Sequence, residues 1–124
     1  MHEFSTAQAI VKSVLERAKE RNARRLLEVE VEIGGLTLLN PEQVEFWIKL
    51  GLERTIGNNA RLAVRTIEPQ ISCKVCGYEG EIKVEGDLLL HVPFYSLCCP
   101  ECSSGEIVVK KGRECCVKRI KVSC

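Results

Sequence analysis

Histidine is scarce in this chain: only His2 and His91 are present. Aromatic residues are scarce too, with one tryptophan, two tyrosines and three phenylalanines. So few imidazoles leave no Ser/His/Asp or Cys/His set for nucleophilic catalysis. No Gly-rich phosphate loop occurs, so any nucleotide hydrolysis must belong to a partner. These absences argue against an enzyme. An excess of one charge is also missing. Lys+Arg number 18 and Asp+Glu 17, a formal net charge of +1. That balance gives no electrostatic reason to expect nucleic acid or a membrane surface as partner. No run nears the ~20 apolar residues of a membrane span. The opening MHEFSTAQAI lacks a basic stretch followed by an apolar one, and neither end carries a lipidation signal. A cytoplasmic protein is expected.

Cysteine, by contrast, is abundant: 8 in 124 residues. The length suits one domain or two very small ones. Hydrophobic residues, at 45%, suffice for an ordinary core. In a reducing compartment, closely paired cysteines point to metal ligands before disulfides. Cys73-Lys74-Val75-Cys76 and Cys99-Pro100-Glu101-Cys102 are two CxxC knuckles. Two residues between cysteines let both thiolates reach one ion while backbone N–H groups face the sulfurs. Two knuckles supply a closed tetrahedral set, the pattern of a structural zinc ribbon. A closed shell leaves no position for substrate. A redox dithiol is the alternative, but it usually sits at a helix start after a strand, and neither knuckle has that context. Residues 79–97 can supply the ribbon's hairpin.

Around this module the pattern is α+β. Residues 5–22 read as an amphipathic helix with Ala7, Ile10, Val11, Val14, Leu15 and Ala18 on one face and Ser5 or Thr6 as N-cap. Leu27 to Ile33 alternates strictly, with Glu28, Glu30 and Glu32 forming a solvated face. Asn40-Pro41 predicts a helix start, with Val44, Trp47, Ile48 and Leu52 inward and an end near Ile56. Residues 61–68 and 116–122 read as further strands, the last returning to the first sheet. A three-stranded sheet with two helices is expected over 1–70 and 109–124, with an inserted zinc-ribbon domain at 71–108.

The N-terminus carries a second metal pattern. Met1-His2-Glu3 offers a terminal amine, the His2 amide and imidazole, and the Glu3 amide. Such a nitrogen plane suits Ni(II) or Cu(II). A disordered terminus with no metal role is the alternative. Metal held there would weaken as pH falls, because protons compete for the nitrogens.

The order of MHEFSTAQAIV, EVEVEIGGLTLLNPEQVEFWI, the CxxC…CPxC module and GRECCVKRIKVSC resembles the HypA/HybF family of nickel-delivery accessory proteins over essentially the whole chain. The resemblance implies a nickel metallochaperone serving [NiFe]-hydrogenase maturation, with nickel as cargo and zinc as structural cofactor. It implies nickel ligation by His2 with the Met1 amine and Glu3. It implies HypB, a GTPase, and the hydrogenase large subunit precursor as partners, and urease accessory proteins in some members. The spacing between the knuckles resembles the archaeal form, in which a histidine of the zinc module approaches nickel. His91 is the candidate here, against the alternative of a hairpin histidine with no ligand role. Monomer and homodimer both remain open.

Cys98, Cys115, Cys116 and Cys124 fall outside the family pattern. Adjacent strand residues face opposite sides, so one of Cys115 and Cys116 is expected to be buried. A disulfide among the four is open. A rival function, a zinc-ribbon interaction module of transcription or translation, would want a basic face with stacking aromatics. Residues 71–108 hold few lysines, and Tyr78, Phe94 and Tyr95 are their aromatics.

Overall fold

The computed structural model describes residues 2–82 and 98–124. Met1 and His91 lie outside the described residues. In chain order, α1 spans His2–Glu20, β1 Arg25–Gly34, a single 3-10 turn Gly35–Thr37, and α2 Pro41–Leu52. Then follow β2 Arg61–Ile67, β3 Gln70–Cys73, β4 Glu79–Glu81, β5 Ile107–Lys111 and β6 Cys115–Ser123. Among the described residues the fold is α+β, with two helices and two three-stranded sheets, ordered β2-β1-β6 and β4-β3-β5. No helix among them is long and apolar enough to cross a membrane.

The chain divides into two compact units. The first runs up to Ile33 and includes Leu39–Arg65 and Cys115–Cys124. The second holds Gly34–Leu38 and Thr66–Glu114. In the first, α1 buries Ala7, Ile10, Val14 and Ala18, and α2 buries Val44, Ile48 and Leu52. These spacings of three and four place each set on one helix face. Ala7, Ile10 and Val14 of α1 and the α2 stripe join Leu26, Val29, Val31 and Ile33 of β1 in a single core.

The helix limits differ from those read in the sequence. α1 starts at His2, not at Ser5 or Thr6. Ser5 caps nothing; its hydroxyl donates back to the His2 carbonyl at 3.2 Å. Among the described residues the chain is helical from His2 onward. At the other end Asn22 takes φ 54°, Ala23 N–H reaches the Ala18 carbonyl and Asn22 N–H that of Lys19. This is a Schellman stop, two residues earlier than periodicity suggested. Asn40 is the N-cap of α2, its side chain accepting from Glu42 N and Gln43 N. α2 ends at Leu52 rather than near Ile56, because Thr55 Oγ1 donates to the Leu52 carbonyl and accepts the Gly57 N–H. Trp47 is only partly buried, edge-on to Phe4 at 4.8 Å and Phe46 at 5.1 Å.

Two bulges correct the strand reading. β1 and β6 are antiparallel, but the register shifts between Leu26 and Glu28. Leu27 has no partner there, so Leu26 turns inward at 2% exposure and Leu27 outward at 46%. A second shift, between Glu30 and Val31, leaves Lys118 unpaired on β6. Val117 and Ile120 can then both face the core. The glutamate row is not simply solvated. Glu28 pairs with Lys121 at 3.5 Å and Glu32 with Lys118 at 3.3 Å. Glu30, only 7% exposed, meets Arg119 at 2.8 Å and Arg65 at 3.5 Å. The three charge pairs between β1 and β6 favour one register over a slipped one.

In the second unit β3 is central, antiparallel to β4 and β5. Its described apolar interior is small: Pro69, Ile71, Ile82, Cys73 and Cys99.

Candidate metal centre

The four predicted knuckle cysteines converge. Their sulfurs all lie within 4.8 Å of one another. Cys73 and Cys102 sulfurs are 3.6 Å apart, and those of Cys76 and Cys99 3.5 Å. A tetrahedral Zn–S₄ site, with bonds of ~2.3 Å, has edges of about 3.8 Å. The cluster therefore has the size and donor chemistry of a closed thiolate site.

Local backbone builds the two halves the same way. Val75 N–H points at Cys73 Sγ and Glu101 N–H at Cys99 Sγ, both at 3.4 Å. Gly77 N–H donates to the Cys73 carbonyl and Ser103 N–H to the Cys99 carbonyl. Cys73 N–H reaches the Tyr78 carbonyl and Cys99 N–H that of Ser104. The fifth residue of each loop is left-handed, Gly77 at φ 79° and Ser103 at φ 64°. Glycine adopts that conformation freely and serine at some cost. Glycine is a common residue at such a position, whereas nothing about the residue type of Ser103 marks it as the equivalent one.

The sulfurs titrate unequally when no metal is bound. The Cys76 N–H, with further help from the Val75 N–H, pulls Cys73 down to about 6. For Cys76 the Tyr78 N–H acts downward, but burial and the neighbouring sulfurs push it up to about 12. At Cys102 the Ser104 N–H is likewise outweighed by burial and the Cys73 sulfur, so its pKa is raised. The signs oppose. Cys73 ionisation stabilises the metal-free fold above the ordinary thiol range, and this is lost as pH falls through about 6. Cys76 contributes below that range and loses its contribution as pH rises toward about 12. Raised thiols such as Cys76 and Cys102 must lose their protons before they can ligate an ion. Metal loading should therefore release protons and strengthen with pH. Calorimetry in buffers of different ionisation heat will read that release. A buffer-independent heat would contradict it.

The second predicted set is placed in part. His2 is the first helical residue of α1 and is exposed. The Glu3 carboxylate accepts the Asn40 N–H at 3.1 Å. That bond is the largest reason its pKa is lowered. Asn40 was legible only as a cap, not as a neighbour of Glu3. Beside this end, Phe4, Gln8, Val11, Lys12, Trp47, Leu50 and Gly51 line a groove of about 340 Å³. The sequence did not reveal it.

All eight cysteines are free of disulfides. Cys115 is half-buried against the core and Cys116 exposed, as strand alternation requires. Burial, then the charge of Cys116, raises Cys115. The Cys124 thiol faces the Arg21 carbonyl at 3.5 Å, and Cys98 is exposed.

Comparison with known proteins fits this layout. The family model "Hydrogenase/urease nickel incorporation, metallochaperone, hypA" matches residues 1–122. The hydrogenase maturation factor HypA of Methanothermobacter thermautotrophicus is 48% identical over 123 residues, 98% of this chain and 97% of that protein. That of Pyrococcus abyssi is 35% identical over 98% of this chain and 96% of its own. The solution structure of the Ni metallochaperone HypA from Helicobacter pylori has a TM-score of 0.66 at 18% identity. It covers 98% of this chain and 97% of that one, and so shares the fold. With a four-cysteine metal site inside a fold of this kind, and a family match along nearly its full length, the chain belongs to the HypA family of nickel-incorporation metallochaperones.

Proposed function

We propose that the chain binds Ni(II) through Met1, His2 and Glu3. It delivers the metal, with the GTPase HypB, to the [NiFe]-hydrogenase large subunit precursor, while the four cysteines hold structural zinc. The observation that carries this reading is the position of His2 in the first turn of α1. The leading N–H groups of a helix have no intrahelical acceptor. The His2 and Glu3 amides can therefore lose their protons to a metal without breaking a helical hydrogen bond. Two deprotonated amides also offset the divalent charge, so the positive end of the helix does not oppose binding.

The same chemistry supports release. A nitrogen plane leaves positions above and below the metal open to an acceptor's ligands. Reprotonation of the amides then frees the ion. The cysteine site, with its closed shell, has no such route and suits a permanent ion.

Nickel titration of the wild type against His2→Ala tests the assignment, with zinc measured alongside. One nickel should be lost and zinc retained. A peptide extension before Met1 should have the same effect by removing the free amine. Nickel retained in both variants would overturn the assignment.

A further inference from the structure

We propose that the Glu3 side chain is a positioning residue, one that anchors the metal-binding turn to α2 rather than coordinating the metal. The inference rests on the N-terminal nickel reading above.

It starts from how α2 is capped. Asn40 Oδ1 accepts from Glu42 N at 2.9 Å and Gln43 N at 3.2 Å. In a capping box, the side chain three residues past the cap reaches back to the cap's own N–H. Gln43 occupies that position, yet the Asn40 N–H is taken at 3.1 Å by Glu3 Oε2 from α1. Glu3 thus completes the cap of another helix. The adjacent residue grips the same helix: Phe4 sits edge-on to Trp47 at 4.8 Å. Two consecutive residues therefore hold the start of α1 against α2, one by a charge-assisted bond and one by ring contact.

This matters because helix ends fray. A nickel plane built from the first backbone nitrogens needs that turn held in one arrangement. Ordering it in advance lowers the conformational cost of binding. A charge-assisted bond, even at an exposed site, supports up to roughly a tenfold effect on affinity.

The test uses full-length protein, nickel as the probe, and two readouts, affinity and the Ni(II) absorption spectrum. Glu3→Ala should weaken nickel about tenfold and leave the spectrum unchanged. Glu3→Gln, whose amide oxygen can still accept the N–H, should recover most of the loss. Asn40 has φ −80°, which proline can adopt. Asn40→Pro and Asn40→Ala both lose the side-chain cap, but only proline loses the N–H. Asn40→Pro should therefore bind nickel about tenfold more weakly than Asn40→Ala. Adding Glu3→Ala to Asn40→Pro should cost nothing further. A changed spectrum in Glu3→Ala would make the carboxylate a ligand and overturn the proposal. So would equal affinities for the two Asn40 variants, or additive losses in the double variant. If His2→Ala also keeps its nickel, the N-terminal assignment itself has failed; if it loses nickel while these variants do not weaken, only the positioning role has.

Discussion

Cys99→Ser is expected to empty the four-sulfur site and to unfold the described residues of Gly34–Leu38 and Thr66–Glu114 together. The reason is the size of what remains. Apart from the two buried cysteines, the described interior of that unit is Pro69, Ile71 and Ile82. These few described buried side chains contribute little against the cost of ordering the backbone, and small units commonly rely on a metal or a disulfide. Structural zinc contributes on the order of 10–16 kcal/mol in small metal-folded peptides. Oxygen at one corner weakens a soft thiolate site and strips the Glu101 N–H of its sulfur acceptor. The first unit should not follow, because Ala7, Val14, Val29, Val31, Val44 and Ile48 form a core of their own. Zinc analysis with amide exchange will decide. The β3 and β5 amides should exchange rapidly in the variant, and those of α1 and α2 should stay slow. Slow exchange at Ile71 and Val109 in zinc-free protein would show that the sheet stands without its metal.

What the sequence made legible was whatever depends on near neighbours. The helix faces follow from spacings of three and four, and the Asn40-Pro41 start from cap chemistry. The sulfur cluster follows from the two CxxC spacings. What stayed hidden depends on distant residues. α1 begins at His2 because Glu3 meets Asn40 and Phe4 meets Trp47, and no local signal carries either contact. Leu27 belongs to the apparent alternation of β1, yet it faces outward because β6 offers it no partner. Ser103 lies left-handed because the second knuckle repeats the first, although its residue type suggests nothing of the kind. The nickel reading shows the same division. Met1-His2-Glu3 marked the donor atoms, but the helical setting of His2 and the tether on Glu3 came only with the fold.

Gly34 shows how far such a long-range requirement reaches, and Gly34→Ala is expected to be the most damaging glycine substitution among the described residues. Gly34 is the last residue of β1 and precedes the 3-10 turn. In the fold, a Cβ on Gly34 would lie 2.3 Å from both the carbonyl carbon and oxygen of Gly112. Those are backbone atoms, so no side chain can swing aside. They are held in place by Leu36 N–H to the Gly112 carbonyl at 2.8 Å and Gly34 N–H to the Glu114 carbonyl at 2.9 Å. Gly112 cannot retreat either. It sits at φ 106°, and its own Cβ position is 2.7 Å from Pro69 Cα. Relief therefore requires separating the two backbones and breaking those bonds, a loss of roughly 2–4 kcal/mol. Gly105→Ala is the reference. Nothing lies within 4 Å of its Cβ position, so alanine there should be near neutral. Urea unfolding of the zinc-loaded variants, followed through amide signals of β3 and β5, will compare them. A Gly34→Ala midpoint equal to that of Gly105→Ala would mean that the two backbones can part at no cost.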